Sequence, residues 1–216
     1  HGSNVNNNSL TFTSANWDTP QSFTVTGADD DLVDGTVTST LTVTVVDALS
    51  EDSFDSINDQ TVSVTTTDDD VAGFTIAETD GSTAVAESGS TDTFTVVLDA
   101  QPTSDVVIAI TSNDTGESSV PSALTFTPAN WDTTQTVTVT GVDDDIIDGT
   151  QTSSLTITVD DSNSDNDFDS VADQTISVTT SDNDVAGFTI AETSGSTGVA
   201  ESGTTDTFTV VLDAQP

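Results

Sequence analysis

The chain has 216 residues, no Lys, no Arg and 38 Asp or Glu, for a formal charge of −38. Without cations it cannot grip nucleic acid through phosphates or dock on an anionic membrane, and without Cys it has no disulfide framework and no thiolate metal site. Its one His opens His1-Gly2-Ser3, which reads as a cloning scar over 1–3, so no His–carboxylate or Ser-His-Asp catalysis is expected and the chain does not read as an enzyme.

High charge with few aromatics is a composition typical of disorder. The pattern argues against it. Thr occurs 44 times, and it alternates with Val, Ile, Leu and Phe, as in Leu124-Thr125-Phe126-Thr127 and Val137-Thr138-Val139-Thr140. Period-two alternation of β-branched residues is the signature of a half-buried strand. A mucin-like stalk would be Pro-rich and would not alternate. No apolar run approaches the ~18 residues of a membrane span.

The chain repeats itself at an offset of 114 residues. Asn16-Trp17-Asp18 returns as Asn130-Trp131-Asp132, and residues 71–102 match 185–216 at 29 of 32 positions. In chain order this gives residues 4–70 as the C-terminal part of one repeat, 71–184 as a complete repeat and 185–216 as the N-terminal part of the next. Within 71–184 the predicted strands are Gly73–Glu78, Thr93–Leu98, Asp105–Thr111, Leu124–Thr127, Gln135–Thr140, Ser154–Val159 and Gln174–Thr179. Seven short strands separated by Gly, Asp, Asn, Ser and Pro turns predict an all-β, immunoglobulin-like Greek-key sandwich in tandem repeats. The other phase, with units at about 4–102 and 118–216, would leave the apolar run Val106–Ile110 as a linker. The partial ends are roughly complementary, so head-to-tail association between molecules is expected.

Strands in a sandwich alternate direction, so alternate turns meet at one end. That end collects Glu87, then Asp114 beside Glu117, then Asp143, Asp144, Asp145 and Asp148, then Asp182 and Asp184. The preceding repeat does the same with Asp29, Asp30, Asp31, Asp34, Asp68, Asp69 and Asp70, and Glu201 stands 114 residues after Glu87. Clustered carboxylates repel or raise one another's pKa, and no Arg or Lys is available to compensate. Ca²⁺, which takes six to eight oxygen ligands in loose geometry, fits this donor set better than Mg²⁺. Zn²⁺ would want His or Cys. Scattered acids such as Asp92, Asp99 and Asp206 read as ordinary turn and surface residues. A weaker pattern, Asp161-Ser162-Asn163-Ser164-Asp165-Asn166-Asp167, spaces oxygens like half an EF-hand loop but lacks its glycine. Trp17 and Trp131 read as core caps, with sugar stacking as the alternative.

The Ala86–Gly89 turn, the Leu124–Trp131 strand and turn, Val137–Asp145 and the closing Ser181-Asp182-Asn183-Asp184 together resemble the Calx-beta family. The resemblance implies a Ca²⁺-binding immunoglobulin-like sandwich whose ligands map onto Glu87, Asp143, Asp144, Asp148, Asp182 and Asp184. Asn183 departs from the third terminal Asp that Asp69 retains. Near-identical copies without basic residues look more like the extender region of a large bacterial RTX-type adhesin than like an exchanger sensor. That implies an extracellular cell-surface module in which Ca²⁺ stiffens the joints with neighbouring repeats of the same chain. A Ca²⁺ sensor or a carbohydrate-binding module is the alternative.

Overall fold

The computed structural model describes residues 2–6 and 9–215; His1 of the expected scar lies outside them. The strands in chain order are β1 (Gly2–Asn6), β2 (Thr24–Ala28), β3 (Val37–Val43), β4 (Gln60–Thr66), β5 (Phe74–Glu78), β6 (Thr83–Ala86), β7 (Thr91–Leu98), β8 (Val106–Ser112), β9 (Ser118–Ser119), β10 (Ala123–Phe126), β11 (Gln135–Gly141), β12 (Gln151–Val159), β13 (Gln174–Ser181), β14 (Phe188–Glu192) and β15 (Phe208–Leu212).

Strands β5 to β13 form an immunoglobulin-like sandwich. One sheet runs β10-β8-β12-β13-β6 and the other β5-β7-β11-β9. The alternation read from the sequence decides which atoms face inward. On β8 the buried residues are Val106, Ile108 and Ile110, and on β12 they are Ser153, Leu155, Ile157 and Val159. Antiparallel pairing sets Ile157 opposite Ile110 and Leu155 opposite Ile176. Phe94, Phe126 and Phe168 are fully buried between the sheets. Each such side chain contributes about 1.5–3 kcal/mol through its burial. Trp131 packs half-buried against this core, as a cap does, and its carbonyl accepts the Leu98 N–H at 3.2 Å.

The span contains two strands beyond the seven expected. After β5 the chain turns through Asp80, at φ 57°, and Gly81, at φ 79°. It then crosses to the other sheet, where β6 pairs parallel with β13. The second addition, β9, is two serines paired to the end of β11. Both matter for the site. Strands β6, β11 and β13 end at one pole of the sandwich, and β9 and β12 begin there.

Outside this sandwich the pairs β1–β2, β3–β4 and β14–β15 are separate two-stranded ladders. Strands β2, β3, β4, β14 and β15 repeat the same alternation, yet Val62, Phe188, Phe208 and Leu212 on them are exposed, as are Phe12 and Phe54 in the intervening segments.

Candidate metal centre

The register of β6 against β13 places Ala86 beside Ser181. The next residue on each strand is therefore Glu87 and Asp182. The Glu87 N–H donates to the Ser181 carbonyl at 3.1 Å, and the Glu87 carboxylate, 1% exposed, accepts the Asn183 N–H at 3.2 Å. From the other sheet, β9 pairs Ser118 with Gly141, so Glu117 lies beside the start of the triple-Asp loop. Its carbonyl accepts the Val142 N–H at 3.0 Å and the Thr180 hydroxyl at 3.3 Å. Gly141 permits this convergence, because a Cβ there would overlap the Ala86 carbonyl oxygen.

Two overlapping triads result. Glu87, Glu117 and Asp148 bring one carboxylate oxygen each within 4.8 Å of one another, and so do Glu87, Asp182 and Asp184. Glu87 belongs to both. Glu117 is 7% exposed. Its Oε2 and the Oδ2 of Asp184 are buried and have no hydrogen-bond partner among the described residues. Burial pushes Glu87 up first, opposed by its bond from the Asn183 N–H and reinforced by the charges of Asp182, Asp144 and Asp148. Burial, then Asp148, Glu87, Asp114 and Asp144, raise Glu117. Asp184 is raised by burial and by Asp182, Asp145, Asp143 and Asp144. Asp182 is the exception. It accepts the N–H groups of Asp184 at 2.6 Å and Gly149 at 2.8 Å, and these bonds hold it below the usual carboxylate range.

The structure thus gathers Glu87, Asp148, Asp182 and Asp184 from the expected ligands. Asp143 is engaged by Asn183, whose amide donates to it at 2.8 Å. Asn183, which stands 114 residues after Asp69, therefore orients a neighbouring acid. Asp144 caps its own loop by accepting the Ile146 N–H at 2.7 Å, while Asp145 adds charge near Asp184. Asp114 stands outside both triads and accepts the Gly116 N–H at 3.1 Å. Glu117 was placed at this pole by the sequence, beside Asp114, but was not carried into the ligand candidates.

The cluster 114 residues earlier is a partial version. Asp68 accepts N–H groups from Asp34 at 3.1 Å, Gly35 at 2.7 Å and Asp70 at 2.9 Å, which lowers its pKa. Asp70 is raised by burial and by Asp68, Asp69, Asp31 and Asp29. Asp30 accepts the Leu32 N–H at 3.2 Å. A small pocket between Ala28, Asp29, Asp30 and Thr67–Asp70 opens here. Glu201 is exposed in the turn at 201–203.

The EF-hand-like stretch is a different object. Asp165, 4% exposed, accepts the N–H and hydroxyl of Thr103, both at 2.6 Å, and the N–H groups of Ser104 at 2.8 Å and Asp167 at 3.1 Å. Burial opposes its ionisation, but these donors outweigh it and lower its pKa. Asp160 is likewise taken up by Ser162 and Asn163. These carboxylates staple the fold and have few lone pairs left for a cation.

The donor set at the triads is all hard oxygen, two of its oxygens are buried and unpartnered, and the chain has no side-chain cation besides His1 to meet them. A hard divalent ion fits these residues.

No protein-family model matches the chain, and no curated protein matches it. Among solved structures it is similar to the apo-form Calx CBD1 domain, at 15% identity over 51% of this chain and 98% of that one, with a TM-score of 0.36. It is similar to domains 4 and 5 of the S-layer protein SbsC, at 20% identity over 56% and 52%, TM-score 0.33. The E. coli chaperone DraB matches at 9% identity over 55% of this chain and 59% of its own length, TM-score 0.38.

Proposed function

We propose that this chain is a Ca²⁺-binding structural module of an extracellular bacterial adhesin, an extender in which the ion stiffens the joint between consecutive 114-residue units, and that it has no catalytic role. The observation that carries the reading is the pair of buried carboxylates Glu87 and Glu117 beside half-buried Asp184, with a buried, unpartnered oxygen on each of the last two. Glu87, Glu117, Asp148, Asp182 and Asp184 would hold the ion, which would supply the positive charge the chain lacks. The residues themselves do the structural work. Asp182 is fixed by the Gly149 and Asp184 amides, and Glu87 ties the chain leaving β13 to the end of β6. Neutralising them would lock the exit of the sandwich at Asp184, where the segment 185–216 begins.

The repeat phase supports the same picture. The exposed apolar faces of β3–β4 and β14–β15 correspond, 114 residues away, to faces buried in the sandwich. In an array, neighbouring repeats would cover them; in the isolated chain, head-to-tail association of copies would do so in part.

Calorimetric titration with Ca²⁺ tests the reading, together with thermal unfolding in Ca²⁺ and in EGTA. Ligand at 1,000 times its Kd adds about 4 kcal/mol, which for a domain of this size is a rise in Tm of about 15 °C. No heat of binding and equal melting temperatures would refute it.

A further inference from the structure

The loop after β2 uses two sets of atoms for two purposes. Its Asp34 and Gly35 N–H groups go to the Asp68 carboxylate, and its Leu32 N–H goes to Asp30. The Asp31 carbonyl and the Val33 N–H go elsewhere. The Gln101 N–H donates to Asp31 at 2.7 Å, and the Val33 N–H donates to the Gln101 carbonyl at 3.1 Å, which makes a parallel bridge between Leu32 and Gln101. Beside the bridge, Val33 packs half-buried against the core of the β5–β13 sandwich. The Gln101 side chain is tied to its own unit, donating to the Pro128 carbonyl at 2.8 Å, and the adjoining Ala100 is 2% exposed.

The same contact occurs a second time. The Gln215 N–H donates to the Asp145 carbonyl at 2.6 Å, the Ile147 N–H donates to Gln215 at 3.3 Å, and Ile146 bridges Gln215 in parallel. Each residue of the second contact lies 114 positions after its counterpart. The loop of 143–148 and the rim at Gln215 form it although β14–β15 has no sandwich around it.

We propose that the rim Asp99–Gln101 is a docking surface whose partner is the acidic loop of the preceding unit, held by a two-bond backbone clamp with Val33 as an apolar plug; at the second contact the clamp is the same, and Ile147, with no sandwich to enter, is 39% exposed. The proposal rests on reading the chain as consecutive units. Electrostatics dictates this construction. Both sides of the joint are anionic and neither has a Lys or Arg, so side-chain ion pairs are impossible, and this contact is built from backbone bonds and apolar packing instead. Asp99, the acid on the rim, is turned onto the Thr75 hydroxyl at 2.7 Å. The loop that faces Asp68 in one unit, through the Asp34 and Gly35 N–H groups, is the loop that seats on the next.

Amide hydrogen exchange on the whole chain, read by NMR in Ca²⁺ and in EGTA, tests this. The Gln101 and Val33 amides are expected to be protected. Val33→Asp, and the milder Val33→Ser, should speed exchange at Gln101 at least tenfold while the Val106, Ile108 and Ile157 amides keep their rates, which certifies the fold. The chain has no Cys of its own, so spin labels at Thr65→Cys and Thr136→Cys report the joint, with a narrow distance distribution that Val33→Asp broadens. An unprotected Gln101 amide, or a Val33→Asp chain with unchanged exchange and label distances, overturns the proposal. A narrow joint in a chain that binds no Ca²⁺ refutes the metal reading and leaves the docking surface standing; a broad joint in a chain that calorimetry shows to be Ca²⁺-saturated overturns both the docking surface and the stiffening, and leaves Ca²⁺ binding alone.

Discussion

Phe168 and Phe54 occupy equivalent places 114 residues apart, each in the turn Asp-x-Phe-Asp between two strands, or its near copy. Phe168 is fully buried and Phe54 is 53% exposed. Phe126 and Phe12, and Phe94 and Phe208, divide in the same way. The local pattern is the same in each pair, so burial is decided by whether the opposite sheet is present. A strand ladder in this sequence is half of an interface, and the hydrophobic face of β3–β4 gains nothing until strands equivalent to β5 and β7 of the opposite sheet lie across it.

Pairs of substitutions turn that contrast into measurements. The largest effect is expected from Phe168→Ala, which should cost about 3–5 kcal/mol in urea unfolding of the sandwich, against almost nothing for Phe54→Ala in dilute solution. If Phe54→Ala proves equally costly, the flanking ladders are covered in solution by another copy. Next, Asp165→Ala strands the Thr103 and Ser104 amides and should cost about 2 kcal/mol, while Glu51→Ala, at the equivalent exposed position, should be neutral by the same assay.

Glu87→Gln should change sign with conditions. Without metal it relieves repulsion within the triads and raises Tm; with Ca²⁺ it weakens binding at least tenfold by calorimetry. Glu201→Gln, exposed and outside any triad, should do neither. The smallest effect is the pH slope. Glu87, Glu117 and Asp184 have raised pKa values, so the metal-free fold binds more protons than the unfolded chain. Its stability should therefore rise as pH falls from neutral toward the ordinary carboxylate values near 4. Below that range Asp182 and Asp165, whose pKa values are lowered, lose their bonds and stability falls. In Ca²⁺ the first limb should reverse, because protons compete with the ion. Parallel slopes with and without Ca²⁺, followed by circular dichroism melts, would show that the triads do not bind it.

Much of this was legible in the residues. Alternation on β8, β11, β12 and β13 announced the strands and their inward faces, and the triple-Asp loops announced the anionic pole. Thr83–Ala86 did not announce β6, because four residues with two alanines carry almost no period-two signal and the parallel pairing with β13 is a long-range event. Ser118-Ser119 is less legible still, so Glu117 was legible as an acid of that pole but not as a member of a triad, a place that depends on β9. The EF-hand-like spacing misled for a related reason: oxygen at alternate positions describes a metal loop and a hydrogen-bonded turn equally well, and the donors of Thr103 and Ser104 decide between them from far along the chain. The clamp at Gln101 is made of main-chain atoms, which every residue has.

Gly141 shows how narrow a condition all of this meets. Its α-carbon lies so close to the Ala86 carbonyl that a single methyl group there would wedge β6 away from β11. Glu87 is the next residue after β6 and would be carried off with it. The carboxylates would thus be scattered by the gain of one carbon, with every acidic side chain still in the sequence.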